Sequence, residues 1–537
     1  FYGLTGVFLY LVFFQFFSVE STQAKAGFIA LVAALIFIAH PIHTEAVANI
    51  KGRDEIMALL GSLVAMYFSF LAGQKGKPLF HLLAGLFFFI ALLSKENAIT
   101  FLAIVPLTYY FFTKASPGQI VKNSLVFVVT AGLFLIIRSQ ILGFSLGSTS
   151  MELMNNPFLK IENGMFVNFT FGEKLATILF TMGKYLQLLF FPIVLTHDYY
   201  PRQIDLMQWT DWRVLLSLLI YLGLSVYALK GWLRKDPISY SILFFLITFS
   251  IVSNILFPVG THMSERFMFM PSVGFSLAVA LLLWRLVVQR NKVVPAYQMG
   301  MGVALIIVLL FSIRTIVRNP AWKNNYTLFT TDIENSPNSA KLRNAVGGEL
   351  ITQSIQEETL TEAERNAMQR EAVGHLQEAI KLHPNYKNSY LLLGNAFNYL
   401  KDYEKSIQYY QQALKLDPDY SEATNNLGIT YRDAGRYYGE QKGDLSTALQ
   451  YLEKAYAFRP NEYETVRLIG VAYGIQGNTA KAIEYFKKGI ELNPNDADAF
   501  FNLGTAWLNA GDQEKANFYH QKALELDPEV LNRRKNQ

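Results

Sequence analysis

Four short clusters of ionisable residues end or interrupt apolar runs. The first, HPIHTEAVANIKGRDE at 40–55, carries His40, His43, Glu45, Arg53 and Asp54. The second, SKEN at 94–97, carries Lys95 and Glu96. THDYYP at 196–201 supplies His197 and Asp198, and THMSER at 261–266 supplies His262, Glu265 and Arg266. Ionisable groups at membrane depth are costly, so they read first as functional. The plainer reading of any one of them is a cap or ion pair at a helix end. Four clusters on one side weaken that reading for the set. His40, His43 and Glu45 could hold a metal, but they straddle a helix end at irregular spacing, which is weak ligand geometry. No metal or other cofactor is assigned, and a divalent ion is not favoured.

A lipid-phosphate sugar donor fits these residue types better. Its phosphate needs Arg or Lys, and Lys95, Arg138, Arg266 and Arg53 are the candidates. Arg138 has a rival reading as a side chain snorkelling from a helix end. The isoprenoid tail needs an apolar groove open to lipid. The acceptor hydroxyl needs a carboxylate base, for which Glu45 and Asp54 are candidates. His40, His43, Glu96, His197, Asp198, His262 and Glu265 are expected to support or orient them.

The elements that must position these groups lie in two solvents. The chain has 537 residues, 52% hydrophobic and 14% aromatic, with a mean hydropathy of +0.21, above what a soluble protein of this size shows. Residues 1–317 are mostly apolar runs, and 318–537 are charged and rich in Asn and Tyr. The division expected is a membrane domain at 1–317, a linker at 318–339 and a soluble domain at 340–537. The net charge of +5 is small and argues no nucleic-acid partner. There is no cysteine, so disulfides and thiolate metal sites are excluded.

Runs long enough for membrane helices fall near 1–17, 26–44, 56–72, 79–93, 97–113, 121–143, 174–195, 213–230, 238–257, 267–288 and 297–317. Basic loops mark the cytoplasmic side: Lys75 and Lys77; Lys114 and Lys122; Lys230, Arg234 and Lys235; Arg290 and Lys292. The four clusters and the C-terminal domain then share the opposite side. Segment 174–195 does not fit a simple crossing. It carries Lys184, breaks near Pro192, and reads as re-entrant or interfacial. Asn168 begins an NFT glycosylation sequon on the outer side, a motif common by chance.

The C-terminal part is periodic. Pro384, Pro418, Pro460, Pro494 and Pro528 are spaced 34, 42, 34 and 34, and Gly394, Gly428, Gly470 and Gly504 follow the same spacing. The 42 is a 34-residue unit with an insertion near 437–444, and an earlier unit from Ala340 holds a second insertion. The unit YLLLGNAFNYLKDYEKSIQYYQQALKLDP resembles the tetratricopeptide repeat. About five such units predict an α-solenoid that binds an acceptor peptide or protein. Asn426 and Asn502 share one repeat position and are candidates to hold its backbone; the alternative is an ordinary solvated Asn. The basic residues of a carboxylate clamp are not supplied by Glu464 and Leu468.

HPIHTEAVANIKGRDE, LLSKENAIT and ERFMFMPSVGF, in this order and followed by these repeats, resemble the transmembrane and tetratricopeptide-repeat O-mannosyltransferases. Bacterial proteins share the architecture. FTMGKYLQLLFFPIVLTHDYYP matches the family's middle block more loosely. The resemblance implies an all-α protein, a polytopic GT-C-like bundle followed by the repeat solenoid. It implies an inverting glycosyltransferase that moves a sugar, usually mannose, from a polyprenyl phosphate to Ser or Thr of proteins. It places site and repeats on the periplasmic or lumenal side. GT-C enzymes keep a key acidic residue in the first outer loop. This chain opens in an apolar run at Phe1, so the expectation is that the first helix, that loop and the main base lie upstream. The absence of cysteine and the lean loops favour a bacterial inner membrane. Two other functions remain open: a non-catalytic repeat scaffold anchored in the membrane, and a lipid-linked glycan polymerase or flippase.

Overall fold

The computed structural model describes all residues except 20, 144–151, 163–164, 290–295, 531 and 533–537. The expected basic loop at Arg290 and Lys292 lies outside the described residues. The chain forms two compact units, Phe1–Leu342 and Arg343–Gln537.

Among its described residues, unit 1 is helical apart from one hairpin. Its first helices are α1 (Tyr2–Phe17), α2 (Gln23–Ala39), α3 (Thr44–Ala48), α4 (Arg53–Lys75), α5 (Pro78–Ser94), α6 (Phe101–Phe112) and α7 (Pro117–Leu142). Strands β1 (Leu159–Glu162) and β2 (Met165–Asn168) pair antiparallel, with Leu159 opposite Asn168. Then come α8 (Phe171–Phe190), α9 (Trp212–Trp232), α10 (Pro237–Ser250), α11 (Ser272–Leu283), α12 (Ala296–Arg318) and α13 (Asn325–Asn335). Every predicted apolar segment contains a helix. Boundaries follow local chemistry. Ser116 and Thr170 close capping boxes with Gln119 and Glu173. Pro78, Pro117 and Pro237 open their helices. Gly76 ends α4 in the left-handed region, φ 65°.

Among the described residues, four helical segments are long and apolar enough to cross a membrane: 50–75, 117–142, 212–232 and 296–323. The pair 23–39 and 41–48, bent by 52°, makes a fifth if taken as one span. Helix α8 is not among them. Exposed Leu305, Ile306, Leu309, Leu310 and Ile313 give α12 an apolar outer face, which suits lipid. The interior has two cores. One is built from α1, α2, α4–α7 and α11, and the other from α8, α9 and the loop after α8. Helix α10 joins them, giving Phe244 to the first and Phe245 and Phe249 to the second.

The stretch 318–339, expected as a linker, is folded. A 3₁₀ turn at Asn319–Lys323 leads into α13, and Ser336 and Ser339 hydrogen-bond back to 196–200. Buried polar anchors, not an apolar run, fix this segment, so hydropathy does not reveal it.

Helix α14 (Ala340–Gln356) begins at the boundary and starts five helix pairs, with α15 (Glu362–Leu382), α16 (Lys387–Tyr399), α17 (Tyr403–Leu416), α18 (Ser421–Glu440), α19 (Leu445–Phe458), α20 (Tyr463–Ile475), α21 (Thr479–Leu492), α22 (Ala497–Asn509) and α23 (Gln513–Leu526). Asp402, Asp444, Asn478 and Asp512 cap the second helix of four pairs. The repeating glycine lets the pair close. A Cβ on Gly394 would stand 2.5 Å from the Tyr410 ring, and one on Gly470 would stand 2.7 Å from Phe486. The insertion lengthens α18 to 20 residues against 13 in α16, α20 and α22. The close approach moves with it. Gly435, two turns beyond Gly428, is the glycine that meets Leu452, at 2.5 Å.

Candidate active site at one end of the membrane helices

The bend after α2 turns Glu45 into the protein, where it is 2% exposed. Both its oxygens accept from Ser264 Oγ at 2.9 Å. It also accepts from the Arg266 backbone N–H at 2.9 Å and from Arg266 Nη1 at 3.2 Å. Tyr185 of α8 braces this turn: its hydroxyl accepts from the Ser264 N–H at 2.8 Å and lies 3.1 Å from the Ser264 carbonyl. Glu265 bonds to the loop after α8, accepting from the Thr196 N–H at 2.6 Å and the Tyr199 hydroxyl at 2.9 Å. Burial, reinforced by the nearby Glu45 charge, holds the Glu265 carboxyl well above the usual carboxylate range.

The network extends to α13. Asp332 is fully buried and accepts from the His197 N–H at 2.7 Å, His197 Nδ1 at 2.8 Å and Arg318 Nη2 at 2.8 Å. Burial alone would raise its pKa, but the His197 and Arg318 hydrogen bonds outweigh burial and hold the carboxyl below the usual range. Asp198 accepts from Ser339 Oγ at 3.0 Å, and burial pushes its carboxyl up.

A second network joins α4, α5 and α7. Lys95 Nζ lies 3.1 Å from Asp54 and 2.7 Å from Glu55. Asn97 donates to the other Glu55 oxygen at 2.8 Å. Arg138 Nε donates to Glu96 at 2.6 Å. These pairs pin one end of the helices, and Lys75, Lys77 and Lys114 lie at the opposite ends of α4, α5 and α6. The 23 residues of α4 separate the two ends by about 35 Å, the thickness of a bilayer core.

Three of the four phosphate candidates, Lys95, Arg138 and Arg266, therefore face carboxylates. Arg53 is exposed and has no ion pair among the described residues. His40 and His43 serve the fold. His40 Nδ1 accepts from the Ile42 N–H at 3.2 Å, which assigns its Nε2 as donor to the Leu189 carbonyl at 2.9 Å. His43 Nε2 lies 2.8 Å from Ser272 Oγ, and its Nδ1 lies 3.0 Å from the Tyr2 hydroxyl. His262 sits between the Phe158 and Tyr200 rings, and neither ring nitrogen has a hydrogen-bond partner. Burial lowers its pKa to about 3. No group of three or more His, Cys, Asp and Glu among the described residues could hold a metal. In unit 2, Asn426 Nδ2 donates to Asn395 at 2.9 Å, and Asn502 is buried with its amide nitrogen unpartnered. Sequence reasoning missed Glu55, Asn97, Tyr185, Tyr199, Ser264, Arg318 and Asp332. Glu55, Asn97 and Ser264 lay inside the quoted motifs; Arg318 and Asp332 carried no motif signal.

The fold and the site define an all-helical protein in which apolar helices carry a buried ionic network at one end and a repeat array follows. Tetratricopeptide-repeat family models match residues 388–461, 467–496 and 485–516. Among curated proteins, the fruit fly protein O-mannosyl-transferase Tmtc3 is 26% identical over 438 residues, covering 73% of this chain and 45% of that one. The nematode protein O-mannosyl-transferase F38B6.6 is 26% identical over 67% of this chain and 46% of its own length. For human protein O-mannosyl-transferase TMTC1 the figures are 26%, 70% and 44%. The chain is thus similar, across both its apolar and its repeat parts, to transmembrane and tetratricopeptide-repeat O-mannosyltransferases. It spans about half the length of the curated relatives it matches. A solved tetratricopeptide-repeat protein, YrrB, described as having an unusual peptide-binding site, is 20% identical over 39% of this chain and 98% of its own, with a TM-score of 0.29.

Proposed function

We propose that the protein is a GT-C-type membrane glycosyltransferase. It moves a sugar, mannose by kinship, from a polyprenyl phosphate to Ser or Thr of acceptor proteins that the repeats recruit. One observation carries the reading. Three sequence motifs far apart in the chain, which are the family's resemblance motifs, meet as buried ionic networks at one end of apolar helices. The basic turns at the other end support a periplasmic or lumenal side for those networks in a multi-pass protein, and the same reading assigns the repeats to that side.

In one in-line displacement the acceptor hydroxyl loses its proton to a carboxylate and its oxygen bonds to the anomeric carbon. The bond to the lipid phosphate breaks with inversion, and the phosphate leaves with the electron pair. Glu45 is 2% exposed with both oxygens engaged, which makes it a positioning residue for Arg266 and Ser264. Asp54 has a side chain 33% exposed and held by Lys95, so it is a carboxylate of these networks open to an acceptor, and it is fixed beside the buried Glu55, whereas the more exposed Glu96 is held by Arg138.

The test uses purified protein, polyprenyl-phosphate mannose labelled in the sugar, and a Ser/Thr-rich acceptor protein. Label released from protein by β-elimination is expected, and Asp54→Asn should slow transfer about 100-fold without altering thermal stability. Label that only lengthens a lipid-linked glycan overturns the assignment in favour of polymerisation. No transfer from any lipid-phosphate sugar overturns it in favour of a scaffold.

A further inference from the structure

Lys184, the charge that made α8 unlike a simple span, is half-buried and has no hydrogen bond or ion pair among the described residues. It lines a groove of about 510 Å³ between α8 and α9. Close contacts hold these helices together. Ser217 Oγ donates to the Leu179 carbonyl at 2.6 Å, the Tyr221 hydroxyl donates to the Met182 carbonyl at 3.1 Å, and a Cβ on Gly183 would meet Ser217 at 3.0 Å. Beyond these contacts the helices leave an apolar channel walled by Leu186, Phe190, Leu216 and Ile220. Phe190, Leu216 and Ile220 are also exposed on the outer surface, so the channel opens sideways to lipid.

The groove is basic at one end only. There Lys184 meets Arg213, which stacks on the Phe180 ring at 4.8 Å and pairs with Asp211 at 2.7 Å. Asp211 and, from the adjoining chamber, Asp205 both act on Arg213, whereas Lys184 stands against apolar walls with no carboxylate paired to it among the described residues. Such an arrangement is costly unless an anion completes it. The same three residues, Phe180, Lys184 and Arg213, also line a second, polar chamber of about 170 Å³. Thr196, Tyr199, Gln203, Asp205 and Asn335 supply the rest of its polar lining. Thr196 and Tyr199 are the residues that hydrogen-bond Glu265. From lipid inward the order is apolar groove, cation pair, polar chamber, buried ionic network.

We propose that this groove seats a phospho-lipid carrier with a long apolar tail. The tail lies along α8 and α9, the phosphate sits between Lys184 and Arg213, and the group carried on the phosphate enters the chamber at Tyr199 and Gln203. The assignment rests on the glycosyltransferase reading for the nature of the carried group, but the binding site itself stands on the groove and its charges.

The experiment uses the full chain in nanodiscs of neutral phospholipid with a photoactivatable polyprenyl phosphate. Crosslinks should map to peptides of α8 and α9. Lys184→Met should weaken capture at least about tenfold, and Lys184→Arg should retain it. The same lipid ending in a hydroxyl should label weakly, and inorganic phosphate should not compete. Size-exclusion and thermal profiles establish that the variants fold. If Lys184→Met fails to fold, the Lys184→Arg variant with Arg213→Gln provides the test. Crosslinks at Arg53 and the start of α4, or capture unchanged by Lys184→Met, overturn the proposal. Capture that depends on Lys184 without any sugar transfer upholds the groove and rejects the transferase reading. Transfer that ignores Lys184 does the reverse.

Discussion

Asp332 ties α13 to the rest of unit 1, and replacing it tests how. Its carboxylate is fully buried and serves Arg318, whose side chain is 3% exposed, together with the backbone and ring of His197. Asp332→Leu removes the partner and leaves the guanidinium in place. Breaking a buried pair from one side costs about 3–5 kcal/mol, because the remaining charge has neither water nor counter-charge. The segment 319–339 is held mainly by these polar contacts, so the cost falls on its local opening. At 1.36 kcal/mol per decade the exchange of α13 amides should rise about 100- to 5,000-fold. Hydrogen exchange read by mass spectrometry on peptides covering 319–339 measures this, with α4 peptides as the internal reference. Adding Arg318→Met to Asp332→Leu replaces both charges with apolar groups and should recover more than half of the lost protection. Unchanged exchange in the single variant, or no recovery in the double, refutes the account of a buried ionic clasp.

The same logic applies to Lys95: Lys95→Met leaves Glu55, 1% exposed, without its cation. It should lower the apparent Tm in detergent, and adding Glu55→Gln should restore most of the loss; a second variant that melts lower still contradicts this. Gly394→Val forces a branched side chain into the Tyr410 ring and should cost about 1–3 kcal/mol. Gly428→Ala should cost much less, because it meets the flexible Arg459 side chain and the Phe458 Cβ at 3.0–3.2 Å; thermal unfolding with exchange mapping of the repeats separates the two. His262 is held neutral in the fold, with its pKa lowered to about 3 by burial, while the unfolded chain takes up that proton below about 6.5. Stability should therefore fall as pH drops from about 6.5 toward 3. His262→Phe should flatten part of that slope, and identical pH profiles for the two proteins speak against a neutral buried imidazole.

The helices were legible because their signal is local. Apolar length marks α4, α7, α9 and α12, and a 34-residue period marks the repeats. The polar clusters were legible as anomalies, but their partners were not. Ser264 and Arg266 reach Glu45 across 219 and 221 residues, and Asp332 reaches His197 across 135. No spacing rule predicts such pairs. The candidate cations Lys95, Arg138 and Arg266 looked free in sequence because their carboxylates come from other elements. Lys184 showed the reverse: sequence marked it as a flaw in a span, and the structure gives it a groove. The segment 318–339 was misread because its anchors are Asp332, Ser336 and Ser339, residues whose composition suggests a loop. The glycine period also misled at one point, since the insertion in α18 transfers the contact from Gly428 to Gly435.

The long reach of Glu45 has a consequence for synthesis. Its acceptor oxygens find Ser264 and Arg266 only after 219 to 221 further residues have been made. At about 5–20 residues per second, that interval lasts about 10–45 s. During it a carboxylate destined for a buried position has no counter-charge, so the bend after α2 stays near the interface until the turn before α11 arrives. The site therefore cannot be complete until the turn at 264–266 is made, and a chain stalled before residue 264 lacks the groups that Glu45 bonds in the finished fold.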